Sequence, residues 1–152
     1  MRHDDGVSAE PAQTAVDEPS AEPRAGLPPD RYLNRELDLA LDIVARKGAH
    51  VVLLTAPYTR RAERPDGSLW PEDAPGRVDA WNTMLRAAAV RHRATVIDLN
   101  ARVCPDGKFT WRAGGVQIRS DGLHFTPIGV RRYIAPWLLP QLALAAIRPP
   151  AA

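Results

Sequence analysis

The chain has 152 residues, which suffice for one domain but not comfortably for two. Its apolar fraction of 45% and charged fraction of 25% are those of an ordinary globular protein. No apolar run approaches the roughly 18 residues of a membrane span. A single cysteine excludes an internal disulfide, and the N-terminus has no hydrophobic core of a signal peptide, so we expect a cytoplasmic protein.

The charge is distributed unevenly along the chain. Residues 1–30 contain seven acids and two bases, whereas the remainder contains 11 acids and 18 bases. A basic body can indicate nucleic-acid binding, but these arginines alternate with acids and do not cluster with aromatic residues. We therefore expect a solvated surface and no nucleic-acid partner.

Three regions differ in composition. Residues 1–29 are rich in Ala, Glu, Pro and Ser and contain almost no large apolar residues, which predicts a disordered acidic leader. Residues 30–147 carry the periodic apolar patterns of a folded domain. Residues 148–152 are predicted to be a disordered tail.

The first half of the domain predicts two helices that alternate with two strands. Apolar residues recur at helical spacing after Asp30, the predicted N-cap, and Gly48 is predicted to follow the end of this first helix. Val51–Pro57 is an unbroken apolar run, typical of a strand covered on both faces. A polar loop from Tyr58 to Gly76 then precedes a second amphipathic helix. Thr95–Leu99 is the second predicted buried strand.

The second half predicts a hairpin and a long helix. Ala113–Gly115 is the predicted turn between two short strands. Thr126 is predicted to cap the last helix, with Pro127 at its first position and a kink or restart at Pro136.

The order helix, strand, helix, strand, hairpin, helix predicts an α/β fold with a parallel sheet and helices on both faces. Only two central strands are visible, whereas such sheets usually have about five. We therefore expect the first strands to be absent, and the exposed sheet edge to favour self-association.

Asp121 and His124 lie in the loop that enters the last helix, in the stretch SDGLHFTP. A carboxylate can accept the Nδ1–H of an imidazole and fix its tautomer, which leaves Nε2 free to take a proton from a hydroxyl. The sequence therefore indicates two members of a hydrolytic triad. A purely local hydrogen bond is the alternative.

The stretch DGLHFTPIGVRRYIAPWL resembles the last block of the SGNH (GDSL-type) hydrolases. The likeness extends back through LNRELDLALDIVARKGAHVVLLTAPY, RPDGSLWPEDAPGRVDAWNTMLR and TVIDLNARVCPDGKFT, which are similar to SGNH domains fused to bacterial membrane acyltransferases. The resemblance covers roughly residues 30–142. It implies a flavodoxin-like, three-layer α/β/α sandwich that cleaves or transfers acyl groups on oxygen, often on cell-envelope glycans. It also implies that Asp121 orients the base and that His124 is the base.

The family's nucleophile lies in a Gly-Asp-Ser stretch, and the 152 residues contain none. Ser8 and Ser20 fall in the predicted leader, Ser68 in a turn, and Ser120 beside Asp121. Cys104 is an alternative nucleophile. We therefore expect a truncated or inactive form of the hydrolase that needs no cofactor and no metal.

Parallel α/β sheets bind ligands beyond the carboxyl ends of their strands. Tyr58 and Asn100 follow the two predicted strands, and Trp70 lies in the loop above them, so these are candidate substrate-binding residues for a small-molecule or glycan acyl ester. Structural roles are the alternative for Trp70. The rival functional interpretation is a non-catalytic module that binds an acylated glycan or a partner chain.

Overall fold

The computed structural model describes residues 29–46, 48–61, 66 and 68–147. The predicted leader, apart from Pro29, and the predicted tail lie outside these residues. The elements are α1 (Pro29–Ala45), β1 (Val52–Leu54), α2 (Pro75–Arg91), β2 (Thr95–Ile97), α3 (Leu99–Val103), β3 (Arg112–Ala113), β4 (Val116–Gln117), α4 (Pro127–Gly129) and α5 (Ala135–Ile147).

Strands β1 and β2 form a parallel pair in which Val52 lies opposite Thr95 and Leu54 opposite Ile97. Helix α2 makes the crossover between them, so the predicted alternation of helices and parallel strands is confirmed. The prediction of a strand covered on both faces is wrong for β1, because Leu54 is 37% exposed. Within the described part of the chain, β1 pairs along one edge only.

Helix α1 begins at Pro29, two residues earlier than an N-cap at Asp30 predicts. Pro29 occupies its start, where a missing N–H costs no hydrogen bond, so Asp30 lies in the first turn and is not the N-cap. The predicted end is confirmed, since the N–H of Gly48, at φ +72°, donates to the carbonyl of Ala45 (2.9 Å). Leu41 is buried, whereas Leu33 and Val44 remain largely exposed.

Helix α2 begins at Pro75, inside the segment predicted to be a loop, and a short 3₁₀ turn at Pro71–Asp73 precedes it. The far end of α2 is tied to α1 by an ion pair between Arg91 and Asp38 (2.8 Å) and by contacts of His92. The ring of His92 lies between Asp38 and Asp42, with nitrogen-to-oxygen distances of 2.8 and 3.2 Å.

The C-terminal helix is continuous from Pro127 to Ile147 but changes its winding before Pro136. Residues Val130–Ile134 form a π turn in which the N–H of Ala135 donates to the carbonyl of Val130. A proline ring crowds the carbonyl four residues before it, and a wider turn relieves that contact. The predicted restart at Pro136 does not occur, and the change at this proline is the π turn directly before it.

A compact apolar cluster joins α3, the hairpin and the C-terminal helix. Its buried members are Leu99, Val103, Cys104, Ala113, Ile118 and Ile134, and Tyr58, Phe125, Tyr133, Trp137 and Leu138 pack against it. The predicted hairpin is confirmed: β3 and β4 are antiparallel and the chain turns at Gly114 and Gly115, whereas Ala113, predicted to belong to the turn, lies in β3 opposite Val116. None of the helices in the described ranges has the length and apolar character needed to cross a membrane.

Candidate active site

Residues 120–124 form a closed loop between two paired positions. Arg119 and Phe125 make an antiparallel bridge, and the N–H of Ser120 donates to the carbonyl of His124 (3.0 Å). Inside this loop, Oδ1 of Asp121 accepts the backbone N–H groups of Leu123 (3.0 Å) and His124 (2.7 Å). The sequence Ser-Asp-Gly-Leu-His thus folds around its own carboxylate.

The other oxygen of this carboxylate holds the imidazole. Oδ2 of Asp121 lies 2.7 Å from Nδ1 of His124. An ionised carboxylate only accepts, so Nδ1 carries the proton. Hydrogen bonds from the His124 side chain, the His124 N–H and the Leu123 N–H hold the pKa of Asp121 well below its ordinary value of 3.8.

The pair opens to solvent. The side chains of His124 and Asp121 are 72% and 54% exposed. Within the described ranges, no group hydrogen-bonds to Nε2 of His124. A base with a fixed tautomer and an open second nitrogen can take a proton from a hydroxyl brought to it and return that proton to a leaving group.

The loop is fixed to the segment after β1 at Gly122. The carbonyl of Gly122 accepts the N–H of Arg60 (3.1 Å). The residue has φ +82°, and a Cβ here would overlap the carbonyl oxygen of Arg60. Only glycine allows this approach, so the loop's position depends on this residue.

Arg119 lies beneath the loop and is 1% exposed. Its guanidinium donates to the carbonyls of Leu123 (2.7 Å) and Tyr58 (3.2 Å) and stacks over the ring of Phe125, 4.0 Å from the centroid. Among the described residues, no carboxylate forms an ion pair with it. A buried cation is therefore held by carbonyl dipoles and an aromatic face, and it joins the loop to the end of β1.

The carboxyl ends of β1 and β2 carry a second polar network. Asp98 caps α3 by accepting the N–H of Ala101, and it also accepts the Thr55 hydroxyl (2.8 Å) and Arg86 (2.6 Å). Asn100 accepts the N–H of Tyr58 (3.4 Å). Asp98, Arg86 and Asn100 line a cleft of about 370 Å³, which we call cleft 1.

A neighbouring cleft of about 350 Å³, cleft 2, is lined by Tyr58, Arg60, Leu69, Lys108 and Phe109 among others. The Tyr58 hydroxyl donates to Asp79 (2.6 Å), which raises the pKa of Tyr58. Trp70 opens the 3₁₀ turn and is 43% exposed, and its chain neighbour Leu69 lines cleft 2.

The structure thus brings the candidate residues together only in part. Asp121 and His124 form a pair, but neither lines cleft 1 or cleft 2. Asn100 reaches the pair indirectly, because it bonds to Tyr58, whose carbonyl binds Arg119, which in turn binds Leu123 in the loop. The candidate substrate-binding residues and the Asp121–His124 pair therefore do not share one of these clefts and are joined only through this series of hydrogen bonds.

No family model, curated protein or solved structure matches this chain. The geometry of the loop and its neighbours therefore carries the functional interpretation.

The described serines do not reach Nε2 of His124. Ser68 donates to Asp66 (2.6 Å), and Ser120 donates to the backbone carbonyl of His124 (3.2 Å). The predicted-leader serines lie outside the described residues. Cys104 is 2% exposed and its Sγ contacts the Tyr58 carbonyl (3.8 Å). Burial raises the pKa of this thiol, which disfavours the nucleophilic thiolate.

Metal binding finds no geometric support in the described ranges, where no three His, Cys, Asp or Glu side chains are grouped to hold an ion. Asp98 is occupied by Thr55, Arg86 and the N-terminus of α3.

Two residues of the site escaped the sequence analysis. Arg119 lies beside Asp121 in a chain with many arginines, so nothing in the sequence marked it as buried. Gly122 lies between Asp121 and His124, and a glycine inside such a short motif is a signal for a positive φ.

Proposed function

We propose that Asp121 and His124 are the acid–base half of an SGNH-type acyl-ester hydrolase or O-acyltransferase site, within an α/β/α sandwich. The observation that carries the proposal is the 2.7 Å contact between Oδ2 of Asp121 and Nδ1 of His124, with Nε2 open. The parallel β1–α2–β2 crossover and the loop at the entry to the last helix support it. The substrate class is an acyl ester of a small molecule or glycan.

In the proposed reaction, this pair transfers the proton, and another segment supplies the hydroxyl that attacks the ester. His124 would take the proton of the attacking hydroxyl at Nε2, and Asp121 would stabilise the imidazolium that forms. The proton would then pass from Nε2 to the leaving alcohol as the acyl group is transferred. Since no Gly-Asp-Ser occurs in these 152 residues, we expect the chain alone to be inert as an esterase.

The test supplies the missing hydroxyl. We expect a fusion of the N-terminal strands of an SGNH hydrolase, including their Gly-Asp-Ser serine, ahead of Pro29 to hydrolyse a fluorogenic acetyl ester. His124→Ala should lower kcat of the fusion by about 10³-fold or more, and Asp121→Asn by about 10²-fold or more. His50→Ala is the matched control and should leave kcat unchanged.

One result would count against the proposal, and another would contradict the expectation that the chain alone is inert. A folded, active fusion whose turnover is the same with His124→Ala would show that this imidazole is not the base. Turnover by the unfused chain that disappears with His124→Ala would show that the chain is not inert.

A second candidate function is a non-catalytic module that binds an acylated glycan or a partner chain. It is favoured by the exposed Nε2 of His124, to which no described serine bonds. Calorimetric binding of an acetylated oligosaccharide to the unfused chain, unchanged by His124→Ala, would select this candidate.

Self-association is part of the same proposal, because α1 and β1 carry exposed apolar side chains. They are Leu33, Leu39, Ile43 and Val44 on α1 and Leu54 on β1. A cleft of about 900 Å³ between α1 and α2 is lined by residues that include Leu33, Val78, Trp81 and Met84. Burying apolar surface favours association by roughly 25 cal/mol per Å², and the freedom lost on association offsets part of this gain.

We expect sedimentation velocity to show concentration-dependent association of the chain. Ile43→Lys combined with Leu54→Lys should weaken it by about tenfold or more, since both charges would have to leave water. Leu139→Lys, at an exposed position of α5, is the control. A monomer at every concentration would contradict the prediction.

A further inference from the structure

We infer that Arg119 is a positioning residue that fixes the Asp121–His124 loop against residues 58–61 and so determines where Nε2 of His124 points. This inference rests on the proposed function only for its catalytic consequence. Its structural content concerns the placement of the loop.

The first step in the argument is the pairing of contacts. One guanidinium nitrogen, Nη1, donates to the carbonyl of Leu123, which is the residue before His124. The other, Nη2, donates to the carbonyl of Tyr58, which lies four residues after the end of β1. A single rigid, planar group therefore spans the loop and the strand end, which sets the spacing between them.

The second step is the cost of this arrangement. Arg119 is 1% exposed, its Nε has no hydrogen-bond partner among the described residues, and no carboxylate there forms an ion pair with it. Buried cations without a carboxylate are costly, and an apolar side chain of similar size would fill the space more cheaply. The fork geometry supplies what an apolar side chain cannot, which is a fixed distance between two backbone carbonyls.

The third step is that a second contact, between Gly122 and Arg60, joins the same two segments as the Arg119 bridge. The Arg60 N–H donates to the Gly122 carbonyl on the same short stretch of loop. When the guanidinium bridge is lost, the bond between Arg60 and Gly122 remains as a contact between the loop and residues 58–61. The Arg60 amide is thus a local reporter of loop placement.

The experiment measures amide hydrogen exchange by NMR in the unfused chain. In Arg119→Met and Arg119→Lys, we expect the Arg60 amide to exchange about tenfold faster relative to the Thr95 amide. The Thr95 amide reports on the β1–β2 pair through its bond to the Val51 carbonyl (2.9 Å). The ratio therefore separates a displaced loop from a general loss of stability.

Arg102 provides a matched control. It also stacks over an aromatic ring, 3.9 Å from the Tyr133 centroid, donates to a carbonyl, and has a buried, unpartnered Nε. It lies on α3 and binds the C-terminal helix, away from the loop. Arg102→Met and Arg102→Lys should leave the exchange ratio unchanged.

Each outcome decides the inference. An unchanged ratio in a folded Arg119 variant, or an equal change in the Arg102 variants, would overturn it. Unfolding of both Arg119 variants while the Arg102 variants fold would assign Arg119 a purely structural role and would also overturn it. In the serine-bearing fusion, Arg119→Lys should lower kcat about tenfold and leave KM unchanged. If the fusion shows no turnover at all, the proposed function fails, but the hydrogen-exchange result for Arg119 still stands.

Discussion

Gly122→Ala is expected to destabilise the protein by about 4 kcal/mol. An alanine at φ +82° is strained by about 1–2 kcal/mol, and its Cβ would overlap the carbonyl oxygen of Arg60, so the loop must move away from residues 58–61. Urea denaturation followed by circular dichroism would measure the change, with an unaltered m-value showing that the unfolded state is unaffected. In the serine-bearing fusion, the same substitution should abolish most of the turnover, since His124 moves with the loop.

Gly115→Ala is the control that separates the backbone strain of a positive φ from the steric overlap of an added Cβ. Gly115 also has a positive φ, +74°, but a Cβ there would meet no atom within 4 Å. We therefore expect a loss of only about 1 kcal/mol, from strain alone. Equal destabilisation by the two substitutions would mean that the close approach of Gly122 to Arg60 has no energetic weight.

Asp73→Asn is expected to cost about 3 kcal/mol. Asp73 is 1% exposed and accepts hydrogen bonds from the Thr59 hydroxyl and from the N–H and Nε of Arg61. The amide that replaces it loses the ion pair with Arg61 and presents an NH₂ group to donors, so buried polar groups are left unpaired. Thermal or urea unfolding at neutral pH would measure this loss.

The role of the Asp73 carboxylate can also be tested through the pH dependence of the free energy of unfolding. Burial of Asp73 opposes ionisation, but the hydrogen bonds from Thr59 and Arg61 outweigh it and lower the pKa below the ordinary value of 3.8. A lowered pKa in the folded state stabilises the fold above about pH 4, and this stabilisation is lost as the pH falls through the folded-state pKa. Asp73→Asn should therefore flatten the decline of stability on the acid side.

Glu72→Gln is the matched control for Asp73. Glu72 pairs with the same Arg61 at 3.5 Å, but its side chain is 57% exposed. Solvent-exposed pairs contribute about 0–1 kcal/mol, so we expect little change in stability. If Glu72→Gln were as damaging as Asp73→Asn, the charge of Arg61, and not the burial of Asp73, would be the source of the effect.

The sequence predicted the order of the elements because its signals are local, but it missed α3, which begins at the last residue of the predicted strand Thr95–Leu99. Helical spacing, the Gly48 terminus, the Gly114–Gly115 turn and the Thr126 cap each depend on neighbours within a few residues. The pairing of Asp121 with His124 was predictable for the same reason, since three residues separate them and the Asp121 carboxylate itself folds the turn.

What the sequence could not predict depends on residues far apart in the chain. Burial of Arg119 follows from Tyr58, 61 positions earlier, and burial of Asp73 follows from the path of the Thr59–Arg61 segment. The exposure of β1 likewise depends on which strands lie beside it and not on its apolar composition. Asn100 was expected at the end of the second strand but lies in the first turn of α3, where its side-chain oxygen accepts the Tyr58 N–H.

The two carboxylate oxygens of Asp121 bind different groups: one accepts backbone N–H groups of its own turn, and the other contacts the imidazole of His124. The orientation of the imidazole is consequently fixed by a five-residue turn, whose folding also meets the entropic cost of ordering this side chain. If His124 is the base that we propose, an incoming hydroxyl meets a proton acceptor that is already aligned.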